Sequence, residues 1–138
     1  MKEDRLNTKE ATLSVDLSEA TQAVKENRFE DALNLFEIIL KDHPDHIDSL
    51  YLASVSSRYL KNFDDSKKYI ERLLLNAPDM GRAYQELGHI NRDMGNEEKA
   101  VINYRQACEL NPALLASWNS LYKYFVNNKN QPAADHAR

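Results

Sequence analysis

Three of the four prolines in this chain, Pro44, Pro78 and Pro112, stand 34 residues apart. A fixed period of this length constrains folding more than any composition can. It is the length of two short helices with their turns, and a unit of that size cannot bury its apolar face alone, so neighbours must stack. The phase extends beyond proline. Twelve residues before each of the three stand Ala32, Ser66 and Ala100; eight before stand Phe36, Ile70 and Tyr104; five before stand Ile39, Leu73 and Ala107. The columns run small, large apolar, apolar, proline through three copies.

The pattern between the prolines is helical. Residues 29–42 carry apolar groups at 29, 32, 33, 36, 39 and 40, the stripe of an amphipathic helix. Residues 97–110 repeat it with Ala100, Val101, Tyr104, Ala107 and Leu110. Asn62, Gly95-Asn96 and Asn130 punctuate the stripes; asparagine suits a helix N-cap, and glycine suits the left-handed turn that ends a helix. Gly88 falls inside a predicted helix, where glycine costs about 1 kcal/mol relative to alanine, and close helix packing accounts for it. No alternation of period two occurs, so no sheet is expected. At the start, Asp16 and Glu19 allow a helix beginning near Leu17, whereas Leu6, Leu13 and Ala20, seven apart, allow one longer helix from the N-terminus. Residues 1–12 are polar, and fraying is an alternative there. At the other end, a second helix of the last unit would begin near residue 131, where only Gln131 to Arg138 remain. Leu121, Tyr122 and Phe125 are then expected to lack a covering helix, because a repeat array needs a polar terminal cap. That predicts either a fragment of a longer protein or a homodimer whose second copy covers residues 115–138.

Composition narrows the class. The 138 residues are 42% hydrophobic and 29% charged, which fits an ordinary globular protein and not a disordered chain. Length alone suggests one domain. No run approaches the length of about 18 apolar residues that a membrane-spanning helix needs, so no membrane partner is expected. A net charge of -4, from 22 acids and 18 bases, offers no basic field for nucleic acid. Cys108 is the single cysteine and cannot form an internal disulfide, and Met1-Lys2-Glu3-Asp4-Arg5 lacks the apolar core of a signal peptide behind it. The cytoplasm is the expected location.

With these columns in place, the chain resembles the tetratricopeptide repeat (TPR) family, whose unit runs W-x2-L-G-x2-Y, then A-x3-F, then P. Residues 81–114 carry Tyr84, Leu87, Gly88, Ala100, Tyr104 and Pro112 in that order, departing at Asn91 where the family prefers tyrosine. The segment 115–138 starts with Trp118, Leu121 and Phe125 and has Tyr122 in place of glycine; 47–80 keeps Leu50, Ala53 and Ser54; 13–46 has Asp16, Glu19, Ala20 and Ala23 and is the least typical. The resemblance implies an all-α, right-handed TPR superhelix, an α-solenoid of about three and a half helix-turn-helix units (13–46, 47–80, 81–114 and a partial 115–138) after a polar segment, 1–12. It also implies that the first helix of each unit lines a concave groove. Carried over position by position, the groove holds Asp48, Tyr51, Val55, Arg58 and Tyr59, then Arg82, Gln85, His89, Arg92 and Asp93, then Ala116, Asn119, Lys123, Val126 and Asn127. Four bases (Arg58, Arg82, Arg92, Lys123) against two acids (Asp48, Asp93) make this lining locally basic in an acidic protein. Arginine suits bidentate contact with carboxylate, so an acidic peptide or an extended protein segment is the expected ligand. The alternative is a solvated face whose charges pair along the helix. The carboxylate clamp of the chaperone-binding subclass falls on Leu17, Thr21, Leu52, Arg82 and Glu86, of which only Arg82 has a suitable charge. A narrower resemblance, over 79–89 and 111–118, is to the TPR arm of bacterial two-domain proteins with a sulfotransferase domain. It implies an accessory role in recruiting substrate to a catalytic domain beyond residue 138.

Other chemistry finds less support. The segment Asp42-His43-Pro44-Asp45-His46-Ile47-Asp48 has metal-capable side chains. It coincides with an inter-unit loop, where Asp45 suits a cap, and the equivalent loops 76–79 and 111–114 carry no histidine, so no metal is expected. Cys108 has no flanking histidine and reads as a packed hydrophobe. No phosphate-binding glycine loop, dinucleotide motif or nucleophile elbow occurs, so neither cofactor nor catalysis is expected within the chain. His89 and Asp93 form an i, i+4 pair without a nucleophile and read as groove side chains. Tyr51, Tyr59, Tyr84 and Trp118 could stack bases, but helical spacing favours packing for Tyr84 and Trp118. Charge also runs along the chain, from three bases and eight acids over 13–46 to three bases and one acid over 115–138. This gradient would favour head-to-tail self-association, and a solvated acidic face explains it equally.

Overall fold

The computed structural model describes the backbone of residues 2–136 and the side chains of Glu10 and residues 12–128. Among the described residues there are seven helices and no strand: α1 (Lys2–Lys25), α2 (Phe29–Asp42), α3 (Ile47–Tyr59), α4 (Phe63–Asn76), α5 (Gly81–Asp93), α6 (Glu97–Leu110) and α7 (Leu115–His136). The fold is all-α, as the periodicity predicted, and α2 and α6 occupy the spans predicted for them. Contacts divide the chain into two compact units, Met1–Pro78 and Asp79–Arg138. Within the first, α1 packs on α2, α2 on α3 and α3 on α4; within the second, α5 packs on α6 and α6 on α7.

One turn recurs between the helices of a pair. Asn27 (φ 60°), Lys61 (φ 64°) and Gly95 (φ 84°) are the three left-handed residues among those described, again 34 apart. Each sits one residue beyond a helix C-cap and closes the same two hydrogen bonds. Arg28 N–H donates to Ala23 O (2.8 Å) and Asn27 N–H to Val24 O (3.0 Å); Asn62 to Ser57 (2.8 Å) and Lys61 to Arg58 (2.9 Å); Asn96 to Asn91 (2.7 Å) and Gly95 to Arg92 (3.0 Å). This is the Schellman arrangement, which satisfies the last carbonyls of a helix while reversing the chain. The result corrects the role predicted for the asparagines. Asn62 and Asn96 do stand at N-cap positions, but their side chains make no capping bond; Arg28 holds the same place. Their backbone N–H groups are already committed to closing the preceding helix.

The prolines end the second helix of each pair. His43, Ala77 and Asn111, each just before a proline, have φ near -133°, -137° and -145° and give their N–H to Ile39, Leu73 and Ala107 at 2.8 Å. Proline crowds its predecessor out of the helical region and brings no N–H of its own.

The phased columns are the core. Phe36, Ile70 and Tyr104 are buried, as are Ile39, Leu73 and Ala107, and Ala32, Ser66 and Ala100. The small column has a counterpart on the first helix of each pair, Ala20, Ser54 and Gly88, all buried. Ser54 Oγ donates to Ser66 O (2.8 Å) and Ser66 Oγ to Ser54 O (2.7 Å), so two hydroxyls stitch α3 to α4 inside the protein. At Gly88 a Cβ would come within 2.7 Å of the Tyr104 ring. Close packing therefore does account for this mid-helix glycine. Asn91, the departure from the family pattern, donates to Asn103 Oδ1 across the α5–α6 contact at 2.6 Å.

At the termini, one open alternative is decided and two expectations change. The N-terminal alternatives resolve in favour of one long helix, since α1 is helical from Lys2. The break expected at Asn130 is absent, and α7 runs unbroken to His136. The position equivalent to Gly95 is Lys129, and with no following helix packed on α7 among the described residues, a further helical hydrogen bond is gained at each step while a left-handed turn would add strain. Leu121 is covered, at 5% exposure, by Ala100, Val101, Tyr104 and Cys108. Tyr122 and Phe125 remain 70% and 46% exposed.

Three substitutions test these contacts. Lys61→Gly should stabilise the chain by about 0.5–1 kcal/mol by relieving a left-handed lysine, and Gly95→Ala, whose Cβ would meet nothing within 4 Å, should destabilise it by about 1 kcal/mol through backbone strain alone. Opposite shifts in urea midpoint check both. Gly88→Ala should cost about 1–3 kcal/mol, because an added methyl in a filled core displaces the Tyr104 ring; thermal unfolding of that variant is the measurement.

Candidate functional site

The residues carried over as groove lining divide between the two units. In the first unit, Asp48 lies exposed in the first turn of α3 and Tyr51 and Val55 are half-buried. Arg58 is buried to 9% exposure, with its guanidinium 4.7 Å from the centre of the Tyr59 ring. Tyr59, 55% exposed, stacks in parallel on Phe29 of α2 at 4.5 Å. Arg58 and Tyr59 thus belong to a layered guanidinium–aromatic stack that ties the end of α3 to the start of α2.

In the second unit the side chains converge. A hollow of about 250 Å³ opens among α5, α6 and α7, and its wall includes Arg92, Lys123 and Asn127 from the predicted set together with Glu97, Ser120 and Tyr124. Ala100, Val101 and Tyr104 complete the lining. Its floor is apolar and aromatic, and its rim carries two cations, one carboxylate, an amide and a hydroxyl. Arg92 donates through Nε to Asp93 Oδ1 at 3.1 Å, and its Nη2 lies 3.1 Å from the same oxygen, which orients the guanidinium from the neighbouring position. His89 meets Tyr104: its Nδ1 lies 2.7 Å from the Tyr104 hydroxyl, with the rings edge to face at 5.4 Å. The pair fixes the phenol at the margin of the hollow. Arg82, Asn119 and Ala116 are exposed and stand outside the lining.

Gln85 has a role that spacing could not disclose. Its Oε1 accepts from both the backbone N–H (3.1 Å) and the hydroxyl (2.7 Å) of Ser117, in the first turn of α7. A side chain of α5 thereby satisfies an otherwise orphaned N–H at the start of α7 and positions the helix that supplies Lys123 and Asn127. Only the distance between residues 85 and 117, nearly one repeat, hinted at this pairing.

In the metal-capable segment one histidine caps a helix and one carboxylate bonds a neighbouring helix. His46, not Asp45, caps α3: its Nδ1 lies 3.2 Å from the Ser49 N and 2.7 Å from Ser49 Oγ. Asp45 Oδ1 instead accepts from Asn76 Nδ2 at 3.3 Å. No group of three or more metal-ligating side chains occurs among the described residues. Cys108 is buried at 5% exposure, and burial pushes its thiol above the ordinary range, which makes it a poor nucleophile. No helix among the described residues is long and apolar enough to cross a membrane. Gln85→Ala should weaken the anchoring of α7 by about 1–3 kcal/mol, since it leaves a buried N–H without its acceptor. Faster amide exchange at Ser117, with α1–α4 unchanged, would register it.

Two family models, both for the tetratricopeptide repeat, match the chain over residues 17–56 and 81–114, together more than half of it. No curated protein sequence matches. Solved structures do. The first TPR of Spaghetti (RPAP3), bound to the HSP90 peptide SRMEEVD, is 17% identical with a TM-score of 0.74, covering 80% of this chain and 88% of that one. MamA from Desulfovibrio magneticus is 21% identical with a TM-score of 0.75, covering 90% and 71%. The O-GlcNAc transferase of Thermobaculum terrenum is 20% identical with a TM-score of 0.79; the match covers 85% of this chain but 22% of that one. At these identities the structures speak to fold alone. The phased columns, the helix pairs they build and both matching models agree, and the chain belongs to the tetratricopeptide repeat family.

Proposed function

We propose that this chain is a non-catalytic protein-interaction module that binds an extended, acidic peptide segment, with an acidic side chain or terminal carboxylate anchored in the hollow of the second unit. The observation that supports this reading is the convergence of Arg92, Lys123 and Asn127 on one apolar-floored hollow. Arg92 and Lys123 would donate charge-assisted hydrogen bonds to a carboxylate, while Asn127 and Ser120 offer neutral donors and Tyr124 and Val101 an apolar wall. Glu97 on the same rim would repel a second anion and so restrict how an acidic segment is threaded. The peptide seen with the Spaghetti TPR is itself acidic at its end, although the chaperone clamp positions here hold Leu17, Thr21, Leu52 and a buried Glu86 beside Arg82. The module therefore favours an acidic segment other than a chaperone tail. We place it in the cytoplasm.

A second reading makes the chain a recruiting arm for a catalytic domain, a sulfotransferase in the narrower resemblance. The transferase neighbour, whose matched part is 22% of its chain, supports it only as a precedent for such a fold inside an enzyme. The reading frame that encodes this chain tests it directly.

For the primary reading, fluorescence anisotropy with a panel of acidic peptides, SRMEEVD among them, is the assay. Arg92→Glu and Lys123→Glu should each weaken the best binder at least tenfold, about 1.4 kcal/mol, with helical circular dichroism unchanged. Equal affinities for variant and parent would sink the basic anchor.

A further inference from the structure

The two units each display an unfilled feature, and the two are complementary. On α7 of the second unit, Trp118, Tyr122 and Phe125 form an i, i+4, i+7 stripe, 47%, 70% and 46% exposed. Trp118 is tethered by its Nε1, which donates to Pro112 O at 2.8 Å, and the Arg105 guanidinium lies 5.2 Å from the centre of the Phe125 ring. The stripe is thus an aromatic ridge with a cation on its flank, and Tyr122 is its most protruding member.

Between α1 and α2 of the first unit lies a hollow of about 170 Å³ with Leu13, Ile38 and Ile39 at its base and Asp16, Asp42 and His43 around it. The repeat explains why it is open. Asp16 occupies the column that holds Leu50, Tyr84 and Trp118 in the later units. An acid stands where an aromatic or large apolar side chain stands elsewhere, so Leu13, Ile38 and Ile39 at the base are left without an apolar side chain from this column over them. Ile38, 52% exposed, marks how much apolar surface remains in water there.

We propose that this hollow receives the aromatic ridge of a second copy of the same chain, Tyr122 entering beside Asp16 and supplying the aromatic group that the first repeat lacks. Charge commits the occupant: the α1–α2 face belongs to a segment of net -5 (13–46), the ridge to one of net +2 (115–138), and Arg105 on the ridge would meet Asp16 and Asp42 at the hollow. Knob and hole lie on different surfaces, so the contact is heterologous. Such contacts propagate head to tail into rings or filaments and do not stop at a two-fold dimer. The peptide-binding reading is not required for this, because neither Tyr122 nor Asp16 lines the basic hollow.

Light scattering of the full 138-residue chain from micromolar to millimolar concentration tests it. The mean mass should grow past that of a dimer, and added salt should lower it. Asp16→Trp, which fills the hollow from within, and Tyr122→Ala, which removes the knob, should each abolish growth; Ile38→Glu, at an exposed site, gives the same result if Asp16→Trp fails to fold. Mixing Asp16→Trp with Tyr122→Ala leaves one intact knob and one intact hole, and a one-to-one complex that grows no further is expected. A wild-type chain that is monomeric throughout, a dimer that never grows, or an Asp16→Trp and Ile38→Glu pair that associates like the parent would overturn the proposal. The peptide titration is unaffected by any of these outcomes, so the two readings fail separately.

Discussion

The fold depends on how closely paired helices can approach. At Ala20 and Ala32, at Ser54 and Ser66, and at Gly88 and Ala100, both helices present a small buried residue. The large column then has a place to lie: Phe36, Ile70 and Tyr104 are buried over these positions. The three solutions differ chemically. Alanines leave a plain apolar seam. Serines replace it with reciprocal hydroxyl-to-carbonyl bonds. Glycine makes room for a tyrosine whose hydroxyl reaches His89. What is repeated is the space available, and each unit fills it with different atoms. Elsewhere on α3, Ser56 and Ser57 are buried with no partner for their hydroxyls among the described residues, and an unpaired buried hydroxyl is destabilising.

Two backbone devices hold the period. A left-handed residue closes the first helix of a pair and a proline stops the second. The left-handed place accepts asparagine, lysine and glycine at Asn27, Lys61 and Gly95, although only glycine takes it without strain. The repeat therefore does not rest on residue identity at that turn. Packing on both sides makes the reversal worth its strain, and α7, with no helix following it in the described residues, continues straight through the corresponding place.

The candidate site was partly legible. The family resemblance implied Arg92, Lys123 and Asn127 as groove positions on first helices of adjoining units, and all three line one hollow. Other members of the same columns went elsewhere. Arg58 turned into an aromatic stack, and Gln85 became the acceptor that seats α7. A column specifies where on a helix a side chain begins. Long side chains such as arginine and glutamine then reach whichever partner lies within several ångströms, and that depends on the neighbouring helix. His46 illustrates the same limit: its spacing from His43 and Asp48 allowed a metal reading, while its ring is occupied by Ser49 three residues on.

The sequence by itself determined the array of helix pairs, the spans of α2 and α6, the closely packed core columns and the resemblance to the family, because these follow from hydrophobic period and from proline and glycine chemistry, which act locally. Only the tertiary structure decided that α1 is long, that α7 does not break, that Leu121 is covered while Tyr122 is not, and that a missing aromatic at Asp16 leaves a hollow. Each of those depends on which surfaces of neighbouring helices meet, and burial is a property of two surfaces together that neither helix encodes alone.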